Sequence, residues 1–410
     1  MDKFKLGFIG MGGRGDYWLH GCILSRPDID LRWVCDIDTE KLERAETKIA
    51  AKGFSPAYTT DYHDILNDSE VDGVIIASDW ESHVPIAIDC MKAGKPTGME
   101  VGGAYSVNDC FRLVHTQEET GTFFMMLENC CYGRREMLLL NMVRQNLFGD
   151  IVHCAGGYCH DLRKSISRGR ELKYYRLRNY LNRNAENYPT HALIPLFKYL
   201  NINDGNRMVS LYSVSSPAKG LLQYSKETGV GAEDILPHGA VQGDVVSTFI
   251  KCSHGQTIHL QLETTVPRFY SRNIEIHGSK GFFTENGDSF FFDDNPEHHK
   301  SEDKADFYGN IEDYYEKYDH ELWKKTLKEG LSGGHGGMDG LVLSAFAESV
   351  KNGWDSPIDV YDAASAMCIT ALSEESIATG HAVGIPDFTN GEWLKRVHGE
   401  DHKYTIRRKR

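Results

Sequence analysis

Residues 5–15 read KLGFIGMGGRG, and this stretch decides the fold of the first part of the chain. The run KLGFI predicts a short strand, and Gly10, Gly12 and Gly15 follow it in the spacing GxGxxG. In such a turn Gly10 permits the tight bend, Gly12 lets the backbone approach a pyrophosphate, and Gly15 allows a helix to pack closely on the strand. Because a predicted helix follows at once, the stretch indicates the first βα unit of a dinucleotide-binding domain.

The second predicted strand, DLRWVCDI, carries Asp36 near its end, about 20 residues after the glycine turn. A carboxylate at that place accepts hydrogen bonds from both ribose hydroxyls of NAD and repels the 2′-phosphate of NADP. The sequence therefore predicts NAD as the cofactor, while Arg14 leaves the phosphorylated form open as an alternative. The other interpretation is a glycine turn followed by an incidental aspartate.

Strands and helices alternate with short loops as far as Asn129, and VDGVIIAS at residues 71–78 is a continuous apolar run. Such a run is typical of a parallel strand that is buried on both faces. We predict an α/β fold in which residues 1–129 form an NAD-binding Rossmann domain, a doubly wound parallel sheet of six strands.

Beyond Asn129 the pattern changes to a predicted helix over 132–148 and then to a series of strand-like runs. Turn residues between these runs favour antiparallel pairing. Residues 130–410 are therefore predicted to form an α+β domain for substrate binding and oligomerisation, with a mainly antiparallel open sheet covered on one face by helices. The acidic, aromatic segment 303–328 is interpreted as a surface excursion.

Composition sets further bounds on the class of protein. A chain of 410 residues with 40% hydrophobic residues can build two cores. Its net charge of −14 gives no reason to expect nucleic-acid binding, and no apolar run approaches the ~18 residues of a membrane span. A strand that begins almost at the first residue leaves no room for a signal peptide, so we expect a cytoplasmic protein. The ten cysteines form no CxxC pair, and no metal site is predicted.

Residues 71–101, VDGVIIASDWESHVPIAIDCMKAGKPTGMEV, resemble the core of the Gfo/Idh/MocA oxidoreductase family. Further blocks along nearly the whole chain are similar to the NAD-dependent glycosidases of glycoside hydrolase family 109, whose known activity is α-N-acetylgalactosaminidase: EVGG, MLENCCYGRREMLLLNMVRQNLFGD, GGYCHDLR, YPTHALIPL, HGGMDG, PIDVYD and IPDFTNGEW. The broader family carries Glu-Lys-Pro where this chain has Glu100-Val101-Gly102. Asp79, Ser82 and a shorter segment between residues 163 and 176 depart from the glycosidases.

The resemblance implies two sets of contacts. Together with the glycine turn, it implies a cofactor site of Gly10, Gly12, Gly13, Arg14, Gly15, Asp36, Trp80, His83, Glu100, Val101 and Asn129. It implies sugar contacts from Tyr158, Arg176, Tyr188, Pro189, Thr190, His191 and Tyr270.

The resemblance also implies a mechanism in which NAD removes hydride from C3 of the sugar, the leaving group is eliminated after loss of the C2 proton, water adds, and the hydride returns. Two residues are the candidates for proton transfer. His191 carries an imidazole, the side chain that most often relays protons in enzymes, and it is predicted to lie in a turn. A phenol such as that of Tyr158 can act as a base near a positive nicotinamide ring, although a lone strand tyrosine is more often core packing.

Several alternatives stay open from sequence. His335 and Glu128 either contact ligands or are structural, and Arg176 either binds sugar or lies on the surface. No role is assigned to His153, His160, His259 or His277. The whole chain is predicted to be an NAD-dependent glycosidase acting on a small-molecule glycoside as a homodimer or tetramer. The alternatives are a net sugar, glycoside or cyclitol dehydrogenase and a non-catalytic NAD-binding sensor.

Overall fold

The structure is a computed structural model that describes residues 2–299, 308–330 and 333–408, apart from the side chains of 297 and 299. The chain divides into two compact units. The first unit comprises Met1–Gly133, Lys324–Ala364 and Val397–Thr405. The second unit comprises Arg134–Trp323, Ser365–Arg396 and Ile406–Arg410.

The first unit contains one parallel sheet with helices between its strands. Its strands are β1 Phe4–Ile9, β2 Ile29–Cys35, β3 Ala57–Thr59, β4 Gly73–Ile76, β5 Thr97–Met99 and β6 Phe124–Met126. Its helices are α1 Gly13–Gly21, α2 Thr39–Ala50, α3 His63–Asn67, α4 Trp80–Lys92, α5 Val107–Thr120 and α14 Met338–Asn352.

The strand order of this sheet is β3-β2-β1-β4-β5-β6, and every neighbouring pair is parallel. This is the doubly wound order, so the predicted Rossmann fold is confirmed. The switch point lies between β1 and β4, and the loop after β1 is the glycine turn. Ligands of such sheets bind at the carboxyl ends of the strands, which is where this turn lies.

The second unit carries the remaining strands and most of the remaining helices. Its strands are β7 Ile151–Cys159, β8 Met208–Ser215, β9 Val245–Cys252, β10 Thr257–Glu263, β11 Glu275–Gly278, β12 Gly281–Thr284, β13 Ser289–Phe292 and β14 Val383–Gly384. Its helices are α6 Arg134–Arg144, α7 Arg163–Ser167, α8 Tyr175–Asn182, α9 Thr190–Leu200, α10 Gly220–Thr228, α11 Ala232–Ile235 and α12 Ile311–Tyr318. Helices α13 Glu321–Glu329 and α15 Val360–Thr379 contribute residues to each unit.

These strands form one sheet in the order β13-β12-β11-β7-β10-β9-β8-β14. All pairs are antiparallel except β7 with β10, which are parallel. The mainly antiparallel sheet is therefore confirmed, with one parallel pair at its centre. Helix α9 packs on β7 so closely that a Cβ on Gly156 would lie 2.8 Å from the Cβ of Ala192.

Two predicted elements differ in detail from the structure. The helix predicted over 132–148 is α6 preceded by a 3-10 turn at Asn129–Tyr132, because Gly133 between them is extended (φ −62°, ψ 142°). Within the segment 303–328, residues 303–307 lie outside the described residues and α12 and α13 occupy most of the rest. These two helices bury Ile311, Leu322 and Trp323. The three apolar residues are widely spaced among charged residues, so the sequence pattern does not indicate the buried side of the helices. In the described ranges, no helix has the length and apolar character needed to cross a membrane.

Candidate active site

The glycine turn of the first unit is built by backbone geometry. Gly10 has a φ of +102°, and a Cβ there would lie 2.5 Å from the carbonyl carbon of Ala77. A Cβ on Gly15 would lie 1.8 Å from the carbonyl oxygen of Gly10. Gly12 and Gly13 face open space, since a Cβ on either residue would meet no atom within 4 Å. The turn thus presents bare backbone at the N-terminus of α1, an arrangement that suits a pyrophosphate.

Asp36 follows β2 directly and is fixed beside this turn. Its Oδ2 accepts from the backbone N–H of Met11 at 2.6 Å, and its Oδ1 accepts from that of Asp38 at 2.8 Å. The carboxylate is therefore held in one orientation at the carboxyl end of β2, the position at which a ribose is bound in this fold.

Two further predicted cofactor residues pack under the loop that follows β5. Gly102 (φ +79°) has no room for a side chain, since a Cβ would lie 2.5 Å from Nε1 of Trp80. A Cβ on Gly103 (φ +109°) would lie 2.5 Å from the Cβ of His83. Burial lowers the pKa of His83, so its ring is neutral at pH 7. The glycines of the EVGG block thus let the loop lie directly on Trp80 and His83.

The departure from the glycosidases at Asp79 has a structural role. Asp79 is the N-cap of α4, and its carboxylate accepts from the backbone N–H of Ser82 at 3.0 Å. The Ser82 hydroxyl donates to the same carboxylate. Asp79 and Ser82, the two residues that differ from the glycosidases, thus stabilise the helix that begins at Trp80.

Arg14 is held by two carboxylates. Its Nε donates to Glu100 at 2.8 Å, and its Nη1 and Nη2 donate to Asp339 at 3.0 and 2.9 Å. Asp339 is fully buried; burial alone would raise the pKa of its carboxyl, but hydrogen bonds from His335 and Arg14 hold that pKa well below the usual range. The Arg14 guanidinium is already bound by two carboxylates, which weakens the argument from sequence for NADP.

Two other predicted cofactor residues, Asn129 and Val101, join the same network, and so does Trp18, which the sequence analysis did not single out. Asn129 donates to Asp339 at 2.8 Å, and the indole of Trp18 donates to Glu100 at 2.6 Å. Val101 is buried and its N–H donates to Glu100. The imidazole Nδ1 of His335 lies 2.8 Å from Asp339. These side chains lie beside a bare-backbone turn and the fixed carboxylate of Asp36, and this arrangement fits NAD.

In the second unit, three side chains of the predicted sugar site lie in mutual contact. Tyr158, near the end of β7, has its ring centroid 4.3 Å from that of Tyr188 and 5.5 Å from that of His191. The rings of Tyr188 and His191 lie 4.8 Å apart. The sequence predicts a turn at His191, but Pro189 precedes the first turn of α9 and His191 is the second residue of that helix. We call Tyr158, Tyr188 and His191 the tyrosine–histidine cluster.

Arg176 borders this cluster from helix α8. Its Cζ lies 4.6 Å from the ring centroid of Tyr188 and 5.7 Å from that of Tyr158. The helix is anchored by a small apolar core to which Leu177 and Tyr180 belong. A buried guanidinium over aromatic faces is charged at any physiological pH and offers directional donors to sugar oxygens.

Tyr270 is half-exposed at the edge of the cluster, with its ring centroid 6.4 Å from that of Tyr158. Its hydroxyl accepts a hydrogen bond from Nη1 of Arg272 at 3.1 Å, and Arg272 is paired with the buried Glu136. The Tyr270 hydroxyl is therefore held in place rather than free to rotate. Thr190 and Pro189 are both buried.

Sequence reasoning missed three further residues that take part in these arrangements. Asp339 lies in the HGGMDG block at the start of α14, and no local pattern in the sequence singles it out. His160 follows Tyr158 by two residues and has the sequence context of an ordinary strand residue. Glu186, two residues before Tyr188, is fully buried, and its carboxylate accepts the Tyr188 backbone N–H while burial raises its pKa from 4.5 to about 8.

Comparison with known proteins adds two family matches. The family model described as "Glycosyl hydrolase 109, C-terminal domain" matches residues 132–395. The family model described as "Oxidoreductase family, NAD-binding Rossmann fold" matches residues 4–127.

The sequence similarity to known proteins extends over almost the whole chain. An α-N-acetylgalactosaminidase of Tannerella forsythia is 36% identical over 96% of this chain and 87% of its own length. A glycosyl hydrolase family 109 protein of Stenotrophomonas maltophilia is 36% identical over 98% of this chain and 93% of its own. Among solved structures, levoglucosan dehydrogenase in complex with NADH and levoglucosan superposes with a TM-score of 0.69 at 19% identity, covering 94% of this chain and 100% of that one. At that identity the likeness shows the fold alone.

Proposed function

Because the chain belongs to glycosyl hydrolase family 109, an enzyme family with an NAD-binding Rossmann domain, we propose that it hydrolyses a glycoside while retaining its NAD. The relatives named as α-N-acetylgalactosaminidases make a terminal α-linked N-acetylgalactosamine the first substrate to test. The observation that carries the proposal is the contact of Tyr158, Tyr188 and His191 in one cluster, beside a buried arginine.

The chemistry divides between the cofactor and the protein. Bound NAD supplies the reversible removal of hydride from C3 of the sugar. His191 takes the proton of the C3 hydroxyl when the ketone forms and returns it at the end. Tyr158 takes the proton from C2, which the neighbouring ketone has made acidic, and the electron pair left on C2 expels the leaving group from C1.

The second half reverses these proton transfers. The departing oxygen takes a proton from solvent when it leaves C1. Water then adds at C1 and gives up one proton to solvent, Tyr158 returns a proton to C2, and His191 returns a proton to the C3 oxygen as the ketone is reduced. Arg176 and Tyr270 orient the sugar through its oxygens. Val101 stands where the broader oxidoreductase family carries a lysine, so the proton transfers are assigned to the cluster.

The sheet of the second unit supports a further proposal, that the protein is a homo-oligomer. Tyr212, Val214 and Phe249 lie on one face of β8 and β9, and all three are more than a third exposed. A row of apolar side chains on an open sheet face is a usual surface for association of identical copies.

The test is a panel of p-nitrophenyl glycosides, assayed with NAD added and with NAD omitted. The proposal predicts many turnovers of p-nitrophenol release without stoichiometric NADH, from protein that carries NAD after purification. One NADH formed for each sugar, without p-nitrophenol release, would instead make the protein a net dehydrogenase. Retained NAD with no product from any glycoside would favour the non-catalytic interpretation.

A further inference from the structure

We propose that His160 is a positioning residue for Tyr158. When the phenol of Tyr158 takes the C2 proton of the sugar, the imidazole of His160 receives the proton that the phenol carried before. This inference rests on the proposed function, because it concerns the proton path of the same site. No role for His160 follows from its place in the sequence, two residues after Tyr158 at the end of a strand.

The geometry places the two groups within reach of each other. The Nδ1 of His160 lies 3.3 Å from the hydroxyl oxygen of Tyr158, and the two rings are nearly perpendicular at 84°. The backbone holds His160 in register, since its N–H donates to the carbonyl of Glu263 at 2.9 Å. The imidazole also packs against the ring of Tyr270, with centroids 5.2 Å apart.

The charged groups around His160 favour its neutral form. Burial lowers the pKa of His160, and the nearby positive charge of Arg176 lowers it further. Asp161 acts in the opposite direction, but its carboxylate is already bound by the guanidinium of Arg163 at 2.9 and 2.7 Å. A neutral imidazole with Nδ1 unprotonated is an acceptor for the phenol.

The proton transfer balances without any additional reactant. The C2–H bond breaks, its electron pair stays with the substrate, and the proton forms a new O–H bond on Tyr158. The proton formerly on that oxygen moves to Nδ1 of His160, which becomes an imidazolium. In the second half the imidazolium returns a proton to Tyr158 as the phenol protonates C2.

His160 is only half-buried, whereas Tyr158 is 8% exposed. The imidazole is therefore the member of the pair that can exchange its proton with water. This gives a measurable consequence, because solvent deuterium would reach C2 through His160.

The test compares His160→Asn and His160→Ala with the wild-type enzyme in D₂O, using the p-nitrophenyl glycoside that the wild type cleaves. We expect kcat to fall about tenfold or more, deuterium incorporation at C2 per turnover to fall, and the acidic limb of the kcat/KM profile to shift. KM and bound NAD should stay unchanged. His238→Asn, at an exposed position in the same unit, is the matched control.

Two results would overturn the inference. One is a His160→Asn enzyme with wild-type turnover, pH profile and C2 exchange. The other is a loss of turnover in parallel with lower NAD content or unfolding midpoint in both variants, which would mark a structural role. Failure of the wild-type enzyme to exchange at C2 would instead contradict the proposed function.

Discussion

The imidazole of His191 packs edge-to-face against two tyrosine rings, Tyr158 and Tyr188, and these contacts restrict the orientation of the imidazole ring. Tyr158 is held on its other side by the His160 contact. The candidate chemistry therefore depends on how individual side chains are oriented, and single substitutions test it.

Replacing His191 with alanine removes a proton-transfer group from the second unit and leaves the glycine turn of the first unit intact. We expect NAD to co-purify while turnover falls by roughly 100-fold or more, the usual contribution of a positioned acid or base. Steady-state kinetics and the NAD content of the denatured protein provide the measurement, with His238→Ala as control.

Near-wild-type turnover of His191→Ala would make the histidine a packing residue and leave Tyr158 as the remaining candidate. Loss of NAD together with activity would show that His191 supports the fold or the cofactor, and its catalytic assignment would be withdrawn.

Glu186 gives a prediction about stability. Burial raises its pKa from 4.5 to about 8, so the folded protein binds this proton more tightly than the unfolded chain does. Its contribution to the free energy of unfolding is therefore greatest at low pH and decreases as pH rises from about 4.5 to about 8.

Glu186→Gln keeps an acceptor for the Tyr188 N–H and removes the titration. We expect the variant to lose less stability than the wild type between pH 5 and pH 8, measured by urea denaturation at each pH. Glu186→Ala should be less stable than Glu186→Gln at every pH because the buried N–H loses its acceptor. Identical pH dependence in the wild type and Glu186→Gln would show that folding does not raise the pKa of Glu186.

At the scale of elements, the glycine turn and helix α1 show which features local sequence determines. The turn needs one residue at positive φ and one without a Cβ under the Gly10 carbonyl, and both demands appear in the spacing of the glycines. The doubly wound strand order and the place of Asp36 at the end of β2 were predictable for the same reason, since they depend on contiguous patterns.

Contacts between distant segments were not predictable in this way. Asp339 reaches Arg14 across more than 300 residues, and nothing near Asp339 in sequence states that its carboxylate binds an arginine. His160 resembles any strand histidine until the sheet places it beside the Tyr158 hydroxyl. The break between Asn129–Tyr132 and α6 depends on the backbone of Gly133.

Two glycine substitutions separate folding from cofactor binding. Gly15→Ala places a methyl group 1.8 Å from a backbone oxygen, so we expect the free energy of unfolding to fall by about 1–3 kcal/mol. Gly12 is already extended (φ −66°, ψ −177°) with open space around it, so Gly12→Ala should fold normally and lose NAD, whose pyrophosphate needs that space.

Thermal unfolding and the NAD content of purified protein check both variants. A Gly12→Ala protein with full NAD content would show that the pyrophosphate does not lie on this turn. A Gly15→Ala protein of wild-type stability would contradict the geometry of the turn.

At the scale of the whole molecule, the net charge of −14 keeps copies of the chain apart, and association needs an apolar surface to offset it. Phe249 is 51% exposed, stacks on His259 at 4.5 Å, and lies beside Tyr212 in the register of β8 and β9.

Phe249→Asp places a charge in the middle of this face, and we expect it to convert a homo-oligomer into monomers in sedimentation experiments. Leu236→Asp, at an exposed apolar position directly after α11 in the same unit, is the control and should leave the assembly intact. An oligomer that survives Phe249→Asp would place the interface elsewhere, and a monomeric wild type would contradict the proposal of an oligomer.

Hydrolysis of a glycoside by transient oxidation at C3 and elimination across C1 and C2 is the central claim. Cleavage of a substrate glycoside in D₂O, followed by NMR of the released sugar, tests it most directly. We predict deuterium at C2 of the product with no net loss of NAD. Cleavage with the original hydrogen fully retained at C2 would contradict the claim.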